Sequence, residues 1–354
     1  MFDLIKELTE FIAPVGQEAE IVTHIEKLWR SQGMRTERTN IGNLIGRWGG
    51  LESAKRLLIA AHADELCYLV RAIDPQGFLY LANGQGWTRT TEIRNGFTIG
   101  TRVKILARNG LVPGVIAAPT GHAATLALAD LRELTWNDLW VDTGLSRDAL
   151  IAKGVTPGTR IVWDSLTERW GDHLVGKALD DRVPVAIITE LARRVPIEQL
   201  KWNVTLAVTV QEEVGVIGAS ALASREKFDA AIIVEIGLAG DIPPLGMNAV
   251  PVCLGDGPVL VHKDSLVHYD HALTSALERC ATEVNIPIQH AVFGSFGSDG
   301  APFMRADVPA AMIAFPARYT HSPFEMGHLG DIEAMVKWLA AFVQSTPPTG
   351  AHAG

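Results

Sequence analysis

Residues 56–65 read RLLIAAHADE, a short apolar run that leads directly into a histidine and two acids. Five consecutive apolar residues, from Leu57 to Ala61, are typical of a strand that is buried on both faces of a parallel sheet. His62 and Asp64 are two positions apart, so both side chains lie on one face of an extended chain. The stretch therefore predicts a central strand whose carboxyl end carries an imidazole and a carboxylate side by side.

Three other apolar runs end in the same way. They are Asn203–Val210, followed by Gln211-Glu212-Glu213; Asp229–Val234, followed by Glu235; and Ala310–Phe315, followed within a few residues by His321. Helical patterns alternate with these runs, most clearly over Val185–Arg194, Asp270–Asn285 and Ile332–Gln344. This alternation predicts an α/β fold, a mixed sheet with helices on both faces (α/β/α). Ligands of such sheets bind beyond the carboxyl ends of the strands, so the acids and histidines are predicted to converge there.

The pattern changes between residues 70 and 167. Short β-like runs alternate there with Gly, Pro and Asn turns, over Gly77–Ala82, Arg102–Ala107 and Gly114–Ala118, and one helical pattern lies around Ser146–Ala152. We therefore predict a mostly β domain of residues 70–167, inserted into an α/β domain formed by residues 1–69 and 168–354.

Composition excludes several classes of protein. The formal net charge is -9 and no Lys/Arg-rich run occurs, which argues against a nucleic-acid partner because phosphate binding needs a basic stripe. No apolar run approaches the roughly 20 residues that span a bilayer, and the first eight residues, MFDLIKEL, carry charges that a secretory signal lacks. The three cysteines have no metal-binding spacing and cannot form a complete set of disulfides. These features predict a cytoplasmic protein without a membrane partner.

Acids and histidines gathered at one sheet edge suit a pair of divalent cations. Such a pair needs one bridging carboxylate, for which the short side chain of Asp180 is suitable, and about one imidazole and one further carboxylate for each ion. The candidates for those ligands are His62, Glu235, His321 and one of the two adjacent acids Glu212 and Glu213. Glu212 and Glu213 are adjacent and cannot point the same way, so one is expected to be a ligand and the other a general base. Asp64 is placed to orient the imidazole of His62.

Each of these features has an ordinary alternative when it stands alone. Asp180 and Asp181 could satisfy the free N–H groups at a helix N-terminus. Glu212 and Glu213 could form a solvated turn, and His62 could be a polar strand end. The joint occurrence of ligand-type side chains after four predicted strands favours the metal centre.

Four ordered motifs resemble the glutamyl/deblocking aminopeptidase family, a group of cytosolic peptidases known for tetrahedral assemblies. The motifs are HADE (62–65), KALDDR (177–182), VQEEVG (210–215) and RYTHSPFE (318–325). The resemblance covers nearly the whole chain and implies a metal-dependent aminopeptidase that removes N-terminal residues from small peptides. It also implies that the inserted β domain is a dimerisation domain, within homo-oligomers that range from dimers to dodecamers.

The family's site roles can be carried over by position. Asp180 would bridge two ions, His62 and Glu235 would complete one, Glu213 and His321 would complete the other, Glu212 would be the base acting on a metal-bridging water, and Asp64 would orient His62. The resemblance implies two divalent ions for each chain, zinc or cobalt by family habit, while the ligand types also suit manganese. Asp299 would either touch substrate or cap a turn, and His122 would reach a neighbouring subunit's site.

One departure from the family pattern keeps other functions open. The family usually places Asp where this chain has Glu235, which reaches one methylene further. A metallo-carboxypeptidase or amidohydrolase of the related dinuclear clan is therefore an alternative. A catalytically inactive scaffold is a further alternative, although every expected metal position still carries a carboxylate or an imidazole.

Overall fold

The computed structural model describes residues 1–84, 99–118, 136–243, 245 and 248–348, which form one large mixed sheet and one small closed barrel. The strands of the described residues are β1 (Arg35–Arg38), β2 (Leu44–Gly49), β3 (Arg56–His62), β4 (Tyr68–Ile73), β5 (Leu79–Asn83), β6 (Arg102–Ala107), β7 (Gly110–Ala117), β8 (Trp140–Asp142), β9 (Arg160–Trp163), β10 (Glu168–Trp170), β11 (His173–Gly176), β12 (Asn203–Thr209), β13 (Ala230–Leu238), β14 (Val259–Lys263), β15 (Gln289–Val292), β16 (Ala310–Arg318) and β17 (Glu325–His328). The α-helices in the same ranges are α1 (Phe2–Glu10), α2 (Ala19–Ser31), α3 (Arg147–Ala152), α4 (Leu179–Arg194), α5 (Ile217–Arg225), α6 (His271–Glu283), α7 (Gly300–Arg305) and α8 (Leu329–Val343).

The large sheet has the strand order β1-β2-β12-β3-β13-β16-β17-β11-β10, with β14 and β15 branching from β16. Its four central strands, β12, β3, β13 and β16, run parallel to one another, and the other pairings with them are antiparallel. The predicted α/β fold with a mixed sheet is therefore confirmed. The carboxyl ends of the four parallel strands lie at the same edge, which is where the predicted ligands lie.

Both faces of the central strands are covered, as their apolar composition predicted. Along β3, Leu57 and Ile59 pack into a core with helices α1, α2, α4, α6 and α8. The intervening Leu58 and Ala60 point to the other face and pack with helices α5 and α7. Alternate side chains of one strand therefore enter two cores, because successive residues of a strand point to opposite faces.

The strand of Glu235 is longer than predicted. The pattern Asp229–Val234 indicated a strand that ends before Glu235, but β13 continues to Leu238. The reason is its neighbour, because β13 pairs with β16 as far as Ala317, whereas its pairing with β3 stops at Ile233. Glu235 therefore lies within a strand, two residues beyond Ile233, the last residue of β13 that pairs with β3.

The second body is a closed antiparallel barrel with the strand order β4-β5-β8-β7-β6-β9. The runs predicted at 77–82, 102–107 and 114–118 correspond to β5, β6 and part of β7, and α3 forms where a helical pattern was seen. Ser146 caps α3 by accepting a hydrogen bond from Ala149 N. The barrel strands extend from Tyr68 to Trp163, and the domain limits at 70 and 167 remain a prediction. Within the described ranges, no helix is long and apolar enough to cross a membrane.

Candidate metal centre

The site begins at His62, the last residue of β3. Its side chain is 2% exposed, and its backbone N donates a hydrogen bond of 2.9 Å to Asp181 Oδ2. The two ring nitrogens face different carboxylates, with Nε2 3.0 Å from Asp180 Oδ1 and Nδ1 3.4 Å from Asp64 Oδ1. The extended spacing of His62 and Asp64 thus places them together, as the sequence predicted.

Asp180 lies between two histidines. It stands in the first turn of α4, where Asp180 and Asp181 have non-helical backbone angles. Its Oδ1 faces His62, and its Oδ2 is 3.3 Å from His321 Nε2. A carboxylate whose two oxygens each point to a separate imidazole has the arrangement that a ligand shared by two ions requires.

Glu213 and His321 form the other side of the site. His321 follows β16 with a left-handed φ of 63°, and its Nε2 is 3.6 Å from Glu213 Oε2. The second oxygen of this carboxylate, Glu213 Oε1, is buried without a hydrogen-bond partner in the described part of the chain. An orphaned buried carboxylate oxygen is costly unless a cation or donor satisfies it.

Two donor groups result, each with its ligand atoms within 4.8 Å of one another. The first comprises His62, Asp180, Asp181 and Glu235, and the second comprises Asp180, Glu213 and His321. Asp180 is common to both groups. Imidazole and carboxylate donors suit zinc, cobalt and manganese, so the residues present fit two divalent ions.

Several side chains in this site have raised pKa values, as expected where several buried carboxylates lie close together. Burial raises the pKa of Glu213 to about 7, and burial together with the Asp180 carboxylate raises the pKa of Glu235 to about 8. Burial lowers the pKa of His321, but Glu213 and Asp180 outweigh it and raise the value to about 10. These carboxylates repel one another unless a cation lies among them.

Glu212 lies beside the donor groups and belongs to neither of them. Its backbone N donates a hydrogen bond to Asp64 Oδ1, and it lines a cavity of about 580 Å³ together with His62, Asp180, Glu213, Glu235 and His321. Burial, followed by the charges of nearby carboxylates, raises the pKa of Glu212 well above its ordinary value. A half-buried carboxylate next to a metal centre can exchange a proton with a reacting group.

Two residues of the site had no assigned role in the sequence reasoning. Asp181 joins the first donor group, and its Oδ1 is buried without a partner among the described residues. Glu325, 1% exposed at the start of β17, accepts hydrogen bonds from Asp180 N at 3.1 Å and His321 N at 2.8 Å. Glu325 therefore ties the two ligand segments together. The only signal for either residue was its place inside the KALDDR and RYTHSPFE motifs.

Asp299 and His122 are the two residues that the sequence suggested as substrate contacts, and the structure describes only Asp299. Asp299 is 1% exposed, accepts a hydrogen bond from Thr209 Oγ1 and is not among the residues lining the cavity. It precedes α7, but its side chain makes no capping hydrogen bond to that helix. His122 lies outside the described residues.

Comparison with known proteins gives a consistent set of relatives. The family model described as M42 glutamyl aminopeptidase matches residues 42–338. A lysyl aminopeptidase of Pyrococcus furiosus is 26% identical, over 87% of this chain and 86% of its own length. An aminopeptidase of the archaeon Desulfurococcus kamchatkensis superposes with a TM-score of 0.88 at 27% identity, covering 97% of this chain and 94% of that one. The Pyrococcus horikoshii TET1 peptidase, described as assembling into a tetrahedron or a large octahedral shell, has a TM-score of 0.83 at 28% identity, covering 96% and 98%.

Proposed function

This chain belongs to the M42 glutamyl aminopeptidase family and is an aminopeptidase, and we propose that it depends on metal, with two divalent ions and Glu212 carrying its reaction. The observation that carries this proposal is the position of Asp180, whose two oxygens face His62 and His321. The two donor groups share only that residue. A single short carboxylate common to two groups is what a dinuclear site needs.

The ligands divide as follows in the proposal. Asp180 would contribute to both ions, His62 and Glu235 would hold the first, and Glu213 and His321 would hold the second. Asp181 is a further potential ligand of the first ion, because its carboxylate belongs to that group. Zinc or cobalt is the proposed metal, and manganese is compatible with the same donors.

When bound, the ions would supply Lewis acidity for the scissile carbonyl and would lower the pKa of the attacking water. Glu212 would accept a proton from that water and deliver it to the departing amine, since its carboxylate lines the cavity without belonging to a donor group. Asp64 would orient the His62 imidazole and would support the loop that carries Glu212, because its oxygens accept hydrogen bonds from Glu212 N and Glu213 N.

Replacing Glu212 with Gln tests the assignment of the base. The variant is expected to keep two ions per chain by elemental analysis and to lose turnover by a factor on the order of 10²–10⁴. Glu283→Gln, an exposed change at the end of α6, is the matched control and should leave turnover intact. Full activity of Glu212→Gln with metals bound would remove Glu212 from the mechanism.

Paired peptides test which end of the substrate is recognised. We expect peptides with a blocked carboxyl end to be cleaved and peptides with a blocked amino end to resist. The reverse result would favour the metallo-carboxypeptidase alternative. Metal-loaded protein that binds two ions but cleaves none of a broad peptide panel would favour the scaffold.

Small peptides and other copies of this chain are the proposed partners. The TET1 peptidase, similar over nearly the whole chain, is described as assembling into a tetrahedron or a large octahedral shell. We propose that this chain also forms homo-oligomers, with residues 70–167 as an inserted dimerisation domain. Light scattering of the wild-type protein and of a chain lacking the barrel segment would test this, since a monomeric wild-type protein contradicts it.

A further inference from the structure

The loop between β12 and α5, residues 210–216, carries the proposed base and one proposed metal ligand. It also supplies Gly215 and Val216 to the wall of the cavity. Its backbone is unusual, because Gln211 and Val216 have left-handed φ angles of 56° and 52°. A β-branched residue such as Val216 rarely adopts that conformation, so its surroundings must hold it. Within the loop, Val216 N donates a hydrogen bond of 2.8 Å to Glu212 O.

The start of the loop is held from outside, through hydrogen bonds that its backbone N–H groups donate. Four consecutive amides each donate to a buried side-chain oxygen: Val210 N to Asn43 Oδ1 at 3.1 Å, Gln211 N to Glu18 Oε1 at 3.3 Å, Glu212 N to Asp64 Oδ1 at 3.0 Å and Glu213 N to Asp64 Oδ2 at 3.1 Å. Asn43 and Asp64 are 0% exposed and Glu18 is 5% exposed. Three side chains that are distant in sequence therefore hold the backbone of residues 210–213.

Glu18 is the acceptor that no motif pointed to. It precedes α2, and its Oε1 also accepts a hydrogen bond of 2.7 Å from Gly16 N. The segment before it is fixed to Glu65 by three hydrogen bonds: Ala13 N to Glu65 Oε1, Glu65 N to Ala13 O, and Val15 N to Glu65 O. The N-terminal segment is therefore anchored next to Asp64 and reaches the loop through the side chain of Glu18.

Burying the charged carboxylate of Glu18 costs free energy. Burial raises the pKa of Glu18, and the nearby charge of Asp64 raises it further. The hydrogen bonds from Gly16 and Gln211 offset part of that cost. Glu18 contributes to neither donor group and does not line the cavity, so its hydrogen bond to Gln211 N is its link to the loop that carries Glu212.

We infer that Glu18 is a positioning residue for the reaction: by holding Gln211 N it aims the Glu212 carboxylate into the cavity, without contacting ions or substrate. This inference rests on the proposed function in naming Glu212 as the base. Asn43 supports the same loop from a second direction, because its Nδ2 donates to Gly218 O at 2.8 Å while its Oδ1 accepts from Val210 N.

Two substitutions of Glu18 and one control test the inference. Glu18→Ala removes the acceptor, whereas Glu18→Gln keeps a carbonyl oxygen that both amides can use. Asp331→Ala is the matched control, because Asp331 is 2% exposed and also accepts two backbone amides, from Gly255 and Gly257, away from the cavity. Each protein is loaded with zinc, and its bound zinc, kcat and KM for one cleaved peptide, and amide hydrogen exchange are measured.

Glu18→Ala is expected to lower kcat by a factor on the order of 10 to 100, since a small displacement of a catalytic group has such an effect. Its bound zinc and KM should stay within about twofold of wild type, and Glu18→Gln should restore most of the kcat. Exchange should accelerate at residues 210–213 in Glu18→Ala and stay unchanged there in Asp331→Ala.

Three results would overturn the inference. The first is unchanged exchange at residues 210–213 in Glu18→Ala, which can be read even if the wild-type protein cleaves no peptide and the proposed function fails. The second is a kcat for Glu18→Ala no lower than that of Asp331→Ala. The third is a Glu18→Gln variant as impaired as Glu18→Ala, which would assign the effect to the lost charge.

Discussion

Replacing Asp64 with Asn is the substitution whose effects the structure specifies most fully. The carboxylate is 0% exposed, and its two oxygens each accept one backbone amide, from Glu212 and from Glu213. Its Oδ1 also lies 3.4 Å from His62 Nδ1. Asparagine has one carbonyl oxygen, so its NH₂ group must face a backbone N–H or the imidazole. At least one of these interactions is lost, and a donor then faces a donor.

Two magnitudes follow for Asp64→Asn. Loss of one charge-assisted hydrogen bond to a buried amide lowers the free energy of unfolding of the metal-free protein by about 1.5–3 kcal/mol. Loss of the carboxylate that orients a ligating histidine weakens metal binding by roughly 10–100-fold. That loss of affinity corresponds to about 1.4–2.7 kcal/mol of binding free energy. The second effect is expected only if His62 is a ligand.

Calorimetric titration of the metal-free protein with zinc measures the affinity, and chemical unfolding of the same protein measures stability. Asp331→Asn is the matched control, since each oxygen of Asp331 also accepts one amide and Oδ1 lies 3.8 Å from His328 Nδ1. The control should lose similar stability and keep its zinc affinity. Equal zinc affinity in Asp64→Asn and wild type, or an equal loss in both variants, would refute the reasoning.

Two further substitutions test other parts of the structure. Glu235→Ala removes a carboxylate of the first donor group, so the tightly bound zinc measured by elemental analysis should fall from two ions per chain to about one; two tight ions would exclude Glu235 as a ligand. Glu226→Gln should lower the free energy of unfolding by about 1–2 kcal/mol at pH 7, because Arg47 and Arg56 both bond to this carboxylate. Hydrogen bonding to Arg47 lowers the pKa of Glu226 below 4.5, so this contribution is complete above that pH and is lost as the pH falls through the lowered value. The loss of stability of Glu226→Gln relative to wild type should therefore be smaller at pH 3 than at pH 7 when both proteins are unfolded with denaturant.

The family match decides the class of enzyme but not the residue that it removes. The family model is described as a glutamyl aminopeptidase, whereas one relative over most of the chain is a lysyl aminopeptidase. The residue named in these descriptions therefore differs between the family and this relative. A peptide-library digest of the zinc-loaded and cobalt-loaded protein would identify the residue released first.

The local pattern of residues determined the class of fold and the general place of the site. Apolar runs that end in acids and histidines predicted parallel strands, and parallel strands bring their carboxyl ends to one edge. His62 and Asp64 were paired correctly because their interaction depends only on the two-residue spacing of an extended chain. Strand patterns and short spacings of this kind can be predicted from sequence because they involve residues that are close together along the chain.

The tertiary structure alone decided which distant side chains meet. Glu325 bonds to Asp180 N from 145 positions away, and Glu18 bonds to Gln211 N from 193 positions away. Glu235 lies within its strand because β16 pairs with β13 beyond Ile233, the last residue of β13 that pairs with β3. These contacts depend on strand order, on pairing length and on left-handed residues in connecting loops. The spacing of apolar residues predicts which face of a strand or helix a residue occupies. It does not predict which distant backbone amide will lie opposite that residue.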